Sequence, residues 1–281
     1  MKKRIDFLND ELTKNLFKNK KILLYFLNSV FIYSDKPQIS EFTYEDREFD
    51  PKFYKGKKSF LDLYVKTTRD EGINLEIQKR KEKNFSKRTL RYLMRLADSL
   101  SSGEDDGKMQ RSVSVNLVNF DLDEIILKDD FHYSSGVRSD KFPHELMLDV
   151  LEIHFINIKK WRKLNKNITD RIENMHPLSR WTAFFCNSLS KAERKALIRS
   201  DPMLQEAHEI NINYLSKREN RIAYIKAQKI AAHEKAVIEQ AVDETVDDIV
   251  RNMKRENFDI AMIKKITGLS EEAINACQIK K

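Results

Sequence analysis

Three side chains in one short stretch have the types and spacing to hold a hard metal ion: Asp62, Glu76 and Gln78, in SFLDLYVKTTRDEGINLEIQ, residues 59–78. Side chains two apart on a strand point the same way, so Glu76 and Gln78 share a face, and Asp62 falls on the partner strand at the end that folds back toward Gln78. A carboxylate on each of two neighbouring strands makes an oxygen site suited to Mg²⁺, which keeps several waters and bridges to phosphate groups. Such an ion can polarise a phosphodiester and lower the pKa of an attacking water. The same residues also read as the polar face of a half-exposed sheet, because alternation is ordinary strand behaviour.

The elements that must position these groups are two strands and a basic helix. Leu61, Leu63 and Val65 alternate with Asp62, Tyr64 and Lys66, and Ile73, Leu75 and Ile77 alternate with Asn74, Glu76 and Gln78. This predicts a hairpin of half-buried strands, with Asp70 initiating the turn and Gly72 free to take a positive φ. The next segment, KRKEKNFSKRTLRYLMR over 79–95, holds eight basic residues and one acid. From about Ser86, a suitable N-cap, it predicts a helix with Leu90, Leu93, Met94 and Ala97 as its apolar stripe. Arg88, Arg91 and Arg95 recur at three and four residues on another side, placed to meet a phosphate backbone or to form a solvated basic face. Tyr92 could stack near the site or simply pack.

Leu-Asp62-Leu, then Gly72-Ile-Asn-Leu-Glu76-Ile-Gln78, then Lys87-Arg88-x-Leu-x-Tyr92 resembles the PD-(D/E)XK nuclease superfamily, and within it the recombination-promoting nuclease/transposase family. The likeness extends to Asp10–Phe17 with KKILLYFLN after it, the SLSSGEDDG loop before a strand over 111–120, LDVLEIHFINIKKW, and IKKITGLSEEAI near the end. The resemblance implies an α/β fold, a restriction-endonuclease-like mixed β-sheet flanked by helices, followed by a C-terminal helical extension. It implies a metal-dependent DNA endonuclease, linked to recombination or mobile elements, that uses Mg²⁺ with Mn²⁺ as a substitute. Asp62 and Glu76 would bind the metal, with the Ile77 carbonyl as an added ligand and Gln78 completing the catalytic set. Arg80, Arg88, Arg91 and Arg95 would hold DNA, with Asp10 and Tyr92 as auxiliary groups.

Gln78 stands where the superfamily's general pattern has lysine, although glutamine is what this family shows. An amide orients a water but supplies no positive charge to a pentavalent transition state. That charge would come from Arg80, on the face of Gln78, or from Arg88. The alternative is a catalytically weak or inactive, defence-associated module that keeps the fold and binds DNA without cutting it. Strand transfer by a transposase needs end recognition, which no motif here displays.

The 281 residues carry 52 Lys and Arg against 44 Asp and Glu, a net charge of +8 that suits a polyanionic partner. Two distant cysteines, Cys186 and Cys277, argue against a zinc site or a disulfide framework and fit a reducing cytosol. The apolar run Ile22 to Tyr33, twelve residues interrupted by Asn28 and Ser29, is well short of the ~18 needed to span a bilayer. Asp6, Asp10 and Glu11 precede it with no cleavage site after it, so the expectation is a cytoplasmic protein without a membrane anchor.

The domain organisation predicted is a catalytic domain over 1–190 and a helical extension over 191–281. Residues 5–32 read as one or two helices, the second buried; an edge strand is expected around Ile39 to Tyr44. Leu148 to Ile158 suits a central strand, in which His154 reads as a hydrogen-bonded core residue. The LNKN segment after Trp161 is expected to lead into a helix, with Trp181, Phe184 and Phe185 as core bulk. From Ala192 to about Asn257 the chain reads as two or three exposed helices that hold no clean heptad but could pair a second subunit. A helical hairpin closes the sequence, with Ser270 as N-cap; the acidic start of its second helix suits packing or a partner rather than phosphates.

Overall fold

The computed structural model describes residues 5–45, 63–98, 105–122 and 129–277. The chain divides into two compact units, Met1–Arg221 and Ile222–Lys281.

The first unit is a mixed sheet between helices. Its strands are β1 (Phe42–Tyr44), β2 (Leu63–Thr67), β3 (Gly72–Gln78), β4 (Ser112–Val118), β5 (His132–Arg138) and β6 (Leu146–Asn157). Among the described residues they form one sheet in the order β1-β2-β3-β4-β6-β5. β2 and β3 are the antiparallel hairpin, in the register Leu63↔Leu75 and Val65↔Ile73. β3, β4 and β6 run parallel, with Glu76 beside Asn116 and Asn116 beside Phe155. This is the α/β architecture that the resemblance implied.

The large core lies on the face that carries Ile73, Leu75, Val113, Val115, Leu117 and Ile156. Helices α1 (Asp10–Phe17) and α2 (Lys20–Tyr33) supply Leu16, Phe17, Phe26 and Leu27 to it. Each begins on an asparagine: Asn9 Oδ1 accepts from the Glu11 N–H and Asn19 Oδ1 from the Ile22 N–H. Asn28, the polar break in the apolar run, clamps the Ile39 backbone through both of its amide atoms, at 2.9 and 2.7 Å. Past β6 come α4 (Ile158–Leu164) and α5 (Pro177–Phe185). Trp161 thus lies within a helix, ahead of the LNKN segment, and donates to Ser179 Oγ at 2.7 Å. Trp181, Phe184 and Phe185 are wholly buried, each contributing about 2–3 kcal/mol of transfer free energy.

Helices α6 (Lys191–Arg199) and α7 (Pro202–Ser216) look charged in sequence, yet Leu197, Leu204 and Ala207 join the same core. A capping box, Ser190 with Glu193, starts α6. Glu193 also takes Arg162 at 2.9 Å and the Ile168 N–H at 3.3 Å.

The hairpin departs from expectation in two ways. β3 is an interior strand, and its buried positions include Asn74 on the polar face as well as Ile73 and Leu75, because α3 (Phe85–Ala97) covers that face. The left-handed turn residue is Asp70, φ 63°, and not Gly72. Gly72 is needed for space: a Cβ there would fall 2.3 Å from Tyr64 Oη, whose hydroxyl donates to Gln110 Oε1 at 3.1 Å. Gly72→Ala should therefore cost about 1–3 kcal/mol of stability, read as a lowered urea midpoint with unchanged slope. An unchanged midpoint would mean that the Tyr64 ring shifts freely.

At the amino ends of β3 and β4 lies a charged knot. Arg111 meets Glu71 at 3.0 Å, Asp149 at 2.7 Å and Glu152; Lys36 lies 3.5 Å from Glu152. His154 Nε2 lies 3.0 Å from Glu152 Oε1, and His154 Nδ1 lies 3.0 Å from His132 Nε2. His154 is thus a buried partner in a polar chain, as the sequence suggested.

In the second unit the long α8 (Arg218–Arg255), which begins just before it, is followed by α9 (Ile260–Thr267) and α10 (Glu271–Ala276). Val250, Ile263 and Ile274 make a small core. Gly268, φ 72°, closes α9, and Ser270 Oγ accepts from the Ala273 N–H as the cap of α10. Ile222, Ile225, Ile230, Val237 and Ile238 of α8 are exposed. No helix among the described residues is long and apolar enough to cross a membrane.

Candidate active site

β3 presents Asn74, Glu76 and Gln78 on the face toward α3, while Ile73, Leu75 and Ile77 serve the core on the other. α3 is pinned to this face by Phe85, which packs with Val118, Phe120 and Phe155, and by Thr89 Oγ1, 3.3 Å from Asn116 Oδ1. Its buried positions are Phe85, Thr89, Leu93, Leu96 and Ala97. Leu90 and Met94, expected in the apolar stripe, are 42% and 47% exposed, because the aromatic Phe85 sets the helix phase. The cap is Asn84 in the left-handed conformation, φ 59°, rather than Ser86.

That phase aims Arg88 at the strand. Its guanidinium lies 3.3 Å from Glu76 Oε1 and also contacts Glu82, whose other oxygen accepts from Gln78 Nε2 at 2.5 Å. Glu76, Arg88, Glu82 and Gln78 thus form a continuous polar chain. Within it the Glu76 side chain is 13% exposed and Glu82 44%, so Glu76 is the shielded carboxylate and Glu82 the outer one. Arg88, Arg91 and Arg95 gather around the Tyr92 ring, with guanidinium carbons 5.9, 5.7 and 6.0 Å from its centroid. Tyr92 is therefore a cation–π platform that holds three cations beside the strand end.

The remaining candidates are dispersed. Arg80 follows the end of β3 in a half-buried bend, so the alternation that would place it with Gln78 stops at Gln78. Asp10, in the first turn of α1, lines a small cleft with Leu63, Leu75 and Ile77, the face opposite Glu76. Asp62 lies outside the described residues, as does most of the SLSSGEDDG loop; the Asp105 carboxylate serves its own turn, accepting from the Gly107 N–H at 2.9 Å.

Two neighbours were not singled out from sequence. Glu82 is the single acid in the basic run, and that isolation is its only signal. Lys79, next to Gln78, contacts Asp6, which Asn187 also holds; nothing local to either residue marks that contact.

Among the described residues no three His, Cys, Asp or Glu side chains are grouped to hold a metal ion. The donors present on the polar face of β3 are nevertheless the kind a hard divalent cation takes: the Glu76 carboxylate, the Gln78 amide oxygen and, two residues before Glu76, the buried Asn74 Oδ1, which has no hydrogen-bond partner among the described residues. The Arg88 guanidinium stands against Glu76, so a cation at this carboxylate would have to displace it.

No curated protein and no solved structure matches the chain. The family model described as PD-(D/E)XK nuclease family transposase matches residues 6–241, which takes in the sheet, α3 and the first unit and stops short of IKKITGLSEEAI. With most of its length so matched, and with the mixed sheet and the E-x-Q strand in place, the chain belongs to the PD-(D/E)XK nuclease family transposases.

Proposed function

We propose that this protein is a metal-dependent DNA endonuclease acting in recombination or mobile-element biology. The observation that carries the reading is the shielded Glu76 carboxylate on an interior strand, sharing a face with Gln78 and flanked by the arginines around Tyr92.

Asp62, directly before Leu63 in the chain, and Glu76 would hold Mg²⁺, or Mn²⁺ in its place. When bound, the ion supplies Lewis-acid polarisation of the phosphodiester and an acidified water. Arg88 has a second task in this scheme. It would bring to the DNA phosphate the positive charge that Gln78 lacks, and Glu76 would then be available to hold the cation. Gln78 orients the water through its amide, and Glu82 keeps the Gln78 and Arg88 side chains in place. Arg91 and Arg95 neutralise flanking phosphates and set register without reading bases, with Arg80 and Tyr92 beside them and Asp10 in an outer role. The protein would work in the cytoplasm, and the exposed apolar residues of α8 support pairing of two chains there.

The Arg88–Glu76 contact favours a second reading, a module that binds DNA without cutting, since Arg88 already satisfies Glu76. Nicking of supercoiled plasmid separates the two. Purified wild type should nick in Mg²⁺ and stop in EDTA, whereas DNA binding with no nicking in Mg²⁺ or Mn²⁺ would establish the binding module.

A further inference from the structure

A basic cleft lies at the same end of the sheet as Glu76 and Gln78. β3, β4 and β6 are parallel, and their carboxyl ends are Gln78, Val118 and Asn157. The crevice beyond such ends is where open α/β sheets bind ligands. α4 begins directly off β6, and a cleft of 490 Å³ opens between it and the loop after α5, lined by Asn119, Lys159, Arg162, Lys163, Lys166 and Ser188 among others. The Asn119 N–H donates to the Gln78 carbonyl at 3.1 Å, so the cleft lining is bonded to the candidate site.

The cations here have different duties. Arg162 is committed to Glu193 at 2.9 and 3.3 Å and ties α4 to the start of α6. Lys159 meets Asp121 at 2.5 Å, and this contact, together with Lys163 at 3.6 Å, holds the Asp121 carboxyl below its usual range. One carboxylate thus faces two lysines, and Lys163 and Lys166 are exposed. The positive charge left over is accompanied by the amide of Asn119 and the hydroxyl of Ser188, groups that commonly bond phosphate oxygens.

We propose that this cleft binds the phosphate backbone of the DNA as it leaves the E-x-Q site, with Lys163 and Lys166 as its phosphate contacts. The inference rests on the nuclease reading above and specifies where the substrate runs. Strands are spaced ~4.8 Å apart, so β6, from which α4 starts, lies about 10 Å from β3 on the same sheet. Arg162 is a positioning residue, fixing the end of α4 on which Lys163 rides.

The test is binding of a fluorescent 30-base-pair duplex to the full chain in EDTA, where nothing is cut, across a range of salt. Lys163→Gln/Lys166→Gln is compared with wild type and with Lys18→Gln/Lys229→Gln, a charge-matched exposed pair elsewhere. The cleft variant should bind at least ~10-fold more weakly near 100 mM salt, with a slope of log K against log salt shallower by about 2, while the control pair keeps the wild-type slope. Wild-type affinity and slope in the cleft variant would overturn the cleft and leave the nuclease reading standing. Equal losses in both variants would also overturn it, by showing dependence on overall charge. Absence of binding by wild type in EDTA would overturn the cleft as well, while nicking in Mg²⁺ decides the nuclease reading separately. Matching thermal unfolding curves confirm that the variants fold.

Discussion

Glu76→Gln should abolish Mg²⁺-dependent plasmid nicking, lowering the rate by at least ~10³-fold, while leaving duplex affinity in EDTA within a few-fold of wild type. The magnitude follows from what the carboxylate would do: without it the cation loses its shielded ligand, and the electrostatic stabilisation of the developing charge goes with it, a contribution of about 4 kcal/mol or more. The substitution keeps shape and hydrogen-bonding capacity, so Arg88 retains a partner at Glu76 Oε1's position and α3 stays seated on Phe85 and Thr89. The arginines around Tyr92, which would make the phosphate contacts in this reading, are not altered by the substitution. A variant that nicks at the wild-type rate would remove Glu76 from the chemistry.

The second large effect is on stability in mild acid. His132 is buried against His154, with ring centroids 5.3 Å apart. Burial first, then the proximity of His154 and His176, push its pKa down to about 3 against the opposing pull of Glu152. Above pH 6.5 neither folded nor unfolded His132 is protonated and it contributes no pH dependence. Below 6.5 the unfolded chain takes up a proton that the folded one refuses, so stability is lost as pH falls from 6.5 toward 3. Glu152 acts in the same direction lower down. Burial raises its pKa, but the contact with His154 and the charges of His154, Lys36 and Arg111 outweigh that and bring it to about 2. Its stabilisation is complete above 4.5 and is lost between 4.5 and 2. At pH 4 His132 alone accounts for about 3 kcal/mol. Urea midpoints should therefore drop sharply between pH 7 and pH 4 in wild type and much less in His132→Asn, whose own stability at pH 7 is lower. Equal wild-type midpoints at the two pH values would contradict the buried pair.

Much of this architecture was legible in sequence because periodicity reports burial directly. The hairpin, the two opening helices, β4 and the aromatic core around Trp181 follow from alternation, helical spacing or bulk. What was not legible was set by tertiary partners. The phase of α3 depends on Phe85 meeting Phe120 and Phe155, contacts 35 or more positions away in sequence, so Leu90 and Met94 were drawn into a stripe they do not occupy. Gly72 was assigned to turn geometry, but the constraint is the Tyr64 ring on the paired strand. β5, HYSSGVR, is a partly buried edge strand without apolar alternation, and it gave no strand signal. α6 and α7 bury few but decisive residues beneath charged surfaces.

The site divides in the same manner. The shared face of Glu76 and Gln78 needs only the two-residue repeat of a strand and could be read at once. Arg88 could be named as basic and nearby, but its contact with Glu76 requires the helix phase. Glu82 could not be distinguished from a solvated charge, because the chain must turn at Asn84 before Gln78 and Arg88 both reach it.

The central claim is that Asp62 and Glu76 together hold one divalent ion. Mn²⁺ binding, followed by the paramagnetic signal of free Mn²⁺ as protein is added, tests it most directly and needs no cleavage. Wild type should bind one Mn²⁺ per chain, displaceable by Mg²⁺, and Asp62→Ala and Glu76→Ala should each lose that site while keeping the wild-type fold by circular dichroism. Undiminished Mn²⁺ binding in both variants would place any metal elsewhere and contradict the account.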